Sequence, residues 1–151
     1  MSHLRVSTKA GQLQIAEEVI LTGFRDDVPV IMEVSDVVVL LSKREGFGMV
    51  LAEAAAMGRP VVAYRCRGVE EVVVNNVTGF IVEPGDIEGF AEAIQVLHDD
   101  RLLAKELGAA ASCEAAKRFS QKEVLGKYIA VFEEAVQTAH MNVRPARESK
   151  E

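Results

Sequence analysis

Two glutamates, Glu45 and Glu53, bracket seven residues in the run EGFGMVLAE, and Gly46 and Gly48 stand between them. Glycines at this spacing let a backbone turn tightly and let a ligand approach it closely. A helix beginning just after them turns its unpaired amides and positive dipole end toward the loop. Glycine loop and helix start together form an anion site, most often for phosphate. The carboxylates need something else, because a carboxylate beside a phosphate repels it. They call for a neutral donor of hydrogen bonds, and sugar hydroxyls fit. Gly48 and Glu53 are five positions apart, about 7.5 Å at the helical rise, roughly the distance from a diphosphate to a ribose. Phosphate on amides and hydroxyls on carboxylates together suggest a nucleotide sugar.

The elements around this stretch must position it. Val37 to Leu41 is a continuous apolar run, which suits a parallel strand covered on both faces. Met49 to Met57 is apolar all round except for Glu53, the pattern of an interior helix. Glu53 is therefore expected to be buried, where an unpaired carboxylate costs several kcal/mol and demands a partner or ligand. Gly58, Arg59 and Pro60 stop the helix. Lys43 and Arg44 on the loop are candidates for attracting a diphosphate.

Composition narrows the class. With 151 residues, 49 % of them apolar, the chain can build one real core. A net charge of −6 argues against a general nucleic-acid binder. Cys66 and Cys113 lie far apart, without metal-like spacing, and read as reduced cytosolic thiols. No run of 18 apolar residues spans a membrane. The polar start MSHLRVSTKAGQ lacks the apolar core of a signal peptide, so a cytoplasmic chain is expected. His3, His98 and His140 pair with nothing at ligand spacing, so no metal site and no cofactor are expected. The three-glycine dinucleotide fingerprint fails at Leu51.

Along the chain, residues 1–12 read as a flexible polar segment, 13–140 as a partial domain and 141–151 as a disordered tail. Leu13 to Glu18 reads as a helix tail and Val19 to Thr22 as a short strand ended by Gly23. Asp27 is placed to cap a short helix from Val28 that turns Val30, Ile31 and Val34 inward. Pro60 to Tyr64 and Gly79 to Val82 read as strands, with a short helix over Val69 to Val74 between them. Asn76 suits a left-handed turn. Asp86 should cap a helix over Ile87 to His98. Two more helices follow, Arg101 to Arg118 and Gln121 to His140. Ser120 with Glu123 resembles a capping box, and Leu125, Tyr128, Ile129 and Phe132 read as a core stripe. Strands alternating with helices predict an α/β fold with a parallel sheet.

The Glu45–Glu53 run resembles the signature of retaining glycosyltransferases of the large glycogen-synthase-like group 1 family. The likeness continues through GRPVVA (Gly58 to Ala63), Gly68 with Glu71, NVTGFIVEPGD (Asn76 to Asp86) and Phe119-Ser120, and covers roughly residues 15 to 135. It implies a Rossmann-like parallel sheet with flanking helices, an incomplete C-terminal, nucleotide-sugar-binding half of a GT-B fold. It further implies that Glu45 contacts donor-sugar hydroxyls and is the candidate catalytic residue, in a mechanism without a clear protein nucleophile. Glu53 would hold the ribose, the amides around Gly48, Met49 and Val50 would face the phosphate, and Gly46 and Phe47 would complete the donor loop. Phe24 and Arg25, on the loop after the Val19 strand, would lie near the nucleobase. The family usually carries a glycine pair where this chain has Arg67-Gly68, which makes that loop bulkier.

The resemblance also implies what surrounds the segment. The first strand–helix units of the donor half, with their phosphate-gripping basic residues, and the whole acceptor domain fall outside the likeness. The partners implied are a nucleotide sugar, a carbohydrate or other acceptor, and the remaining half on another chain or in a homo-oligomer. The expected activity is sugar transfer with retention, weak or absent in the isolated chain. The alternative is a nucleotide-sugar-binding or interaction module that complements a separate chain. An epimerase on the same architecture is a third reading, which the Glu-to-Glu spacing followed by the PGD turn disfavours.

Overall fold

The structure, a computed structural model, describes residues 3–142, with side chains for residues 5–138. The described residues fall into two compact units that divide between Ile31 and Met32.

The first unit opens with α1 (His3–Gln12), where the sequence suggested a flexible segment. Leu13 to Glu18 forms turns instead of a helix tail. Val19 to Thr22 is not a strand, and Ile20 is 83 % exposed. A lone extended segment gains strand hydrogen bonds only from a neighbour, and none is described beside it. Helix α2 (Val28–Val34) begins in this unit. The Asp27 carbonyl accepts from the Val30 amide, while the Asp27 carboxylate pairs with Arg25 in place of the expected side-chain cap. The inward face of α2 also differs: Met32 is buried, whereas Val30 and Val34 are exposed.

In the second unit, β1 (Val38–Leu40), β2 (Val61–Tyr64) and β3 (Gly79–Val82) form a parallel sheet in the order β1-β2-β3. Val39 sits opposite Val62, and Val62 opposite Phe80. Helix α3 (Met49–Ala56) joins β1 to β2, and the short α4 (Arg67–Glu70) precedes β3. Three helices complete the unit: α5 (Ile87–Asp99), α6 (Arg101–Phe119) and α7 (Gln121–Asn142). Residues 143–151, most of the expected tail, lie outside the described residues.

Alternation along β2 builds the core. Val61 and Ala63 pack on one face of the sheet with Leu51, Ala54 and Val69. Val62 packs on the other with Leu97, Ala104 and Leu107. Val61, Val62 and Ala63 are essentially inaccessible, as expected of a central strand with helices on both faces. The expectation of full cover over Val37 to Leu41 fails: Val39 in β1 and Leu41 just after it are exposed, because β1 is the edge of the described sheet. It fails in part for α3: Leu51, Ala54 and Ala55 are buried, but Met49, Val50 and Ala56 face outward.

Caps follow the local chemistry. Gly58 (φ 66°) ends α3 in the left-handed conformation, with its amide and that of Arg59 returning to Ala55 and Ala54. Asn76 adopts φ 62° in the turn before β3. Asp86 caps α5 through Oδ1, accepting from the Gly89 amide at 2.9 Å. Asp100 caps α6 by accepting from the Leu102 and Leu103 amides. Ser120 Oγ accepts from the Glu123 amide at 3.4 Å, the first half of the expected box.

Candidate functional site

Parallel strands deliver their following loops to the same end of a sheet, where ligands of α/β folds gather. Two loops meet there, residues 41–48 after β1 and residues 65–66 after β2. Gly48 is the residue before α3, in the left-handed conformation at φ 70° and ψ 50°, and no side chain caps the helix. Its carbonyl accepts from Leu51 at 2.9 Å and Ala52 at 3.3 Å. The first-turn amides of Met49 and Val50 thus remain for a ligand. The tight-turn role anticipated for both glycines falls to Gly48. Gly46 is outside the left-handed region, and an added Cβ there would meet nothing within 4 Å.

Glu45 is half-buried on the loop. Glu53 is exposed, against the expectation of burial, because it lies on the outward face of α3. Neither carboxylate forms an ion pair or hydrogen bond among the described residues. Glu53 instead lines a cavity of about 660 Å³, together with Phe47, Met49, Ala52, Ser112, Ala116 and Phe119. That volume lies within the ordinary range of small-ligand sites. Its wall is mostly apolar, and Glu53 is its charged group. The cavity explains why α3 is apolar all round without being interior: one face feeds the core, the other this wall.

Phe47 is held by an edge-to-face contact with Phe119, the ring centroids 5.3 Å apart. Arg118 lies 4.8 Å over the Phe119 ring and donates to the Glu71 carbonyl at 2.6 Å. The Glu45–Gly48 loop is thereby tied to the end of α6. Glu45, Gly46, Phe47, Gly48, Met49, Val50 and Glu53 are brought together on one loop and helix start. Phe24 and Arg25 belong to the first unit, where Phe24 is 98 % exposed and Arg25 pairs with Asp27. That pairing holds the Asp27 carboxyl below its ordinary range. The sequence did not single out Ser112 and Ala116 as lining residues, because small residues on a helix carry no signal of what they face.

The cations divide sharply. Arg65 is fixed by Glu83 and Glu70, with Nε and Nη1 each donating at 2.5 Å. Those bonds, Glu83 first, raise its already high pKa. Lys43, Arg44 and Arg67 are exposed on the same two loops and α4, with no ion pair among the described residues. Cys66 and Cys113 are free thiols. Among the described residues, no helix is long and apolar enough to cross a membrane.

The family of glycosyl transferases group 1 matches residues 3–113, well over half of the chain. The chain belongs to the group 1 glycosyl transferases. Among curated members, it is 35 % identical over 121 residues to N-acetyl-alpha-D-glucosaminyl L-malate synthase of Bacillus anthracis, covering 80 % of this chain and 32 % of that one. Among solved structures, Anabaena HepE in complex with UDP superposes with a TM-score of 0.84 at 28 % identity, covering 87 % of this chain and 36 % of that one. Sucrose-phosphate synthase from Thermosynechococcus elongatus superposes at 0.83 with 26 % identity, covering 89 % and 34 % respectively. This group 1 chain therefore carries the α/β architecture of GT-B glycosyltransferases and spans about a third of the length of these relatives.

Proposed function

We propose that the chain is the donor-binding part of a glycosyltransferase that moves a sugar from a nucleoside diphosphate to an acceptor with retention at the anomeric carbon. The observation that carries this reading is the single loop and helix start that presents Glu45, the free α3 amides and Glu53 together at the ligand end of the sheet. In this reading the amides of Met49 and Val50 take a phosphate, with Lys43 and Arg44 adding charge from the loop. Glu45 receives hydrogen bonds from the sugar and Glu53 from the ribose. The base rests on the apolar wall of the Glu53 cavity. UDP bound to Anabaena HepE supports a nucleoside diphosphate as the ligand class.

The leaving diphosphate is stabilised by amides and cations, so the proposal needs no metal ion or cofactor. Transfer also requires an acceptor held in line with the donor, and such positioning supplies much of catalysis. The 151 residues alone should therefore transfer little or no sugar. A second reading, carried by the same loop and helix start, is a nucleotide-sugar-binding module that completes a separate chain. In either case its setting is the cytoplasm, consistent with two free thiols.

Calorimetric titration with UDP, GDP and ADP, repeated on Glu53→Ala, tests the donor site. Binding of one diphosphate, lost in the variant, supports it and names the base. No binding of any of them by a folded chain counts against a working donor site in this polypeptide. Steady sugar transfer by the purified chain would overturn the proposed inactivity.

A further inference from the structure

The two loops at the ligand end are pressed together at Gly68. A Cβ added there would stand 2.5 Å from the Glu45 carbonyl oxygen and 2.9 Å from the Gly46 carbonyl carbon. A Cβ added at Gly48 would stand 3.3 Å from the Gly68 carbonyl oxygen. The backbone at Gly68 thus lies against both ends of the Glu45–Gly48 turn. Arg67 is the adjacent residue, its Cα about 3.8 Å along the chain.

Arg67 is exposed and forms no ion pair among the described residues, whereas Arg65 is held between Glu70 and Glu83. Arg67 therefore carries a long, exposed guanidinium on the residue next to this backbone contact. The group 1 resemblance leads one to expect glycine at this position, so Arg67 adds a cation that the common pattern does not have. A guanidinium presents a planar fork of donors that matches two phosphate oxygens at once.

We propose that Arg67 is a phosphate-binding residue, contacting the terminal phosphate of a nucleoside diphosphate seated on the α3 amides. This rests on the nucleotide-sugar reading above. It makes Arg67 a determinant of how strongly the site prefers a diphosphate to a monophosphate.

The test is titration of the full chain with UDP and UMP, for the wild type, Arg67→Gly, Arg67→Lys and Glu53→Ala, at low and high salt. Thermal unfolding of each variant checks its fold. The expected result is a loss of about tenfold or more in UDP affinity for Arg67→Gly, with UMP changed less than twofold. Arg67→Lys should fall between, keeping the charge but not the fork. The salt dependence of UDP binding should shrink in Arg67→Gly. If UDP binds, Glu53→Ala abolishes it and Arg67→Gly leaves it unchanged, the role of Arg67 is overturned while the donor site stands. The same holds if UDP and UMP weaken equally. If the folded wild type binds no UDP, the uridine-diphosphate form of the donor reading fails and the Arg67 role fails with it.

Discussion

Gly68 lies so close to the backbone of Glu45 that no side chain fits between them: an added Cβ would stand 2.5 Å from the Glu45 carbonyl oxygen and 2.7 Å from its carbon. The obstacle is backbone, which cannot swing aside as the end of a side chain can. Gly68→Ala must therefore shift either the β2 exit or the Glu45–Gly48 turn. Overpacking of this kind costs about 1–3 kcal/mol. We expect that loss in urea unfolding, together with weaker nucleoside diphosphate binding as Glu45 moves. Wild-type stability and binding in this variant would show that the two loops are not packed as described.

Glu53 leads to the opposite pairing of effects. Its carboxylate is exposed and makes no contact that the fold relies on, so Glu53→Ala should change stability by no more than about 0.5 kcal/mol. Nucleoside diphosphate binding should nevertheless be lost. A destabilisation of several kcal/mol would mean that the carboxylate is buried and paired, as the apolar sequence around it suggested.

Asp86 is the side-chain cap of α5, which carries Leu97 into the core. Asp86→Ala removes the acceptor for the Gly89 amide and should cost about 1 kcal/mol. Asp86→Asn should retain most of it, because the amide oxygen still accepts. Equal midpoints for wild type and Asp86→Ala in chemical unfolding would assign the start of α5 to packing alone.

Local signals in the sequence were legible where one residue decides the conformation. The strand Gly79–Val82, the left-handed Asn76, the Gly58 stop and the Asp86 cap all depend on neighbours within a few residues, and the structure has each of them. The left-handed turn at Gly48 before α3 was legible as well, because glycines at that spacing restrict the backbone. Burial was less so. An apolar residue reports a preference for cover and not what provides it. Leu125, Tyr128, Ile129 and Phe132 were read as core, yet they are half or more exposed along α7 in the described chain. Val19 to Thr22 has strand composition, but among the described residues no strand pairs with it. Glu53 departs from the expected burial for the converse reason: its apolar neighbours Met49, Ala52 and Ala56 line a cavity.

The outer edge of β1 carries the last prediction. Val38–Leu40 pairs with β2 on one side, and no strand is described on the other. Val39 is 44 % exposed and Leu41 47 %. An open strand edge flanked by apolar side chains is a template for pairing with another chain. The 151-residue chain should therefore self-associate as its concentration rises. Val39→Lys places a charge on that edge and should suppress the association, leaving the core contacts of Val61, Val62 and Ala63 intact. Sedimentation velocity over a hundredfold concentration range would measure both. A wild-type chain that stays monomeric throughout would refute the edge as a docking surface. Association undiminished by Val39→Lys would move the contact elsewhere, with the exposed apolar face of α7 the next surface to substitute.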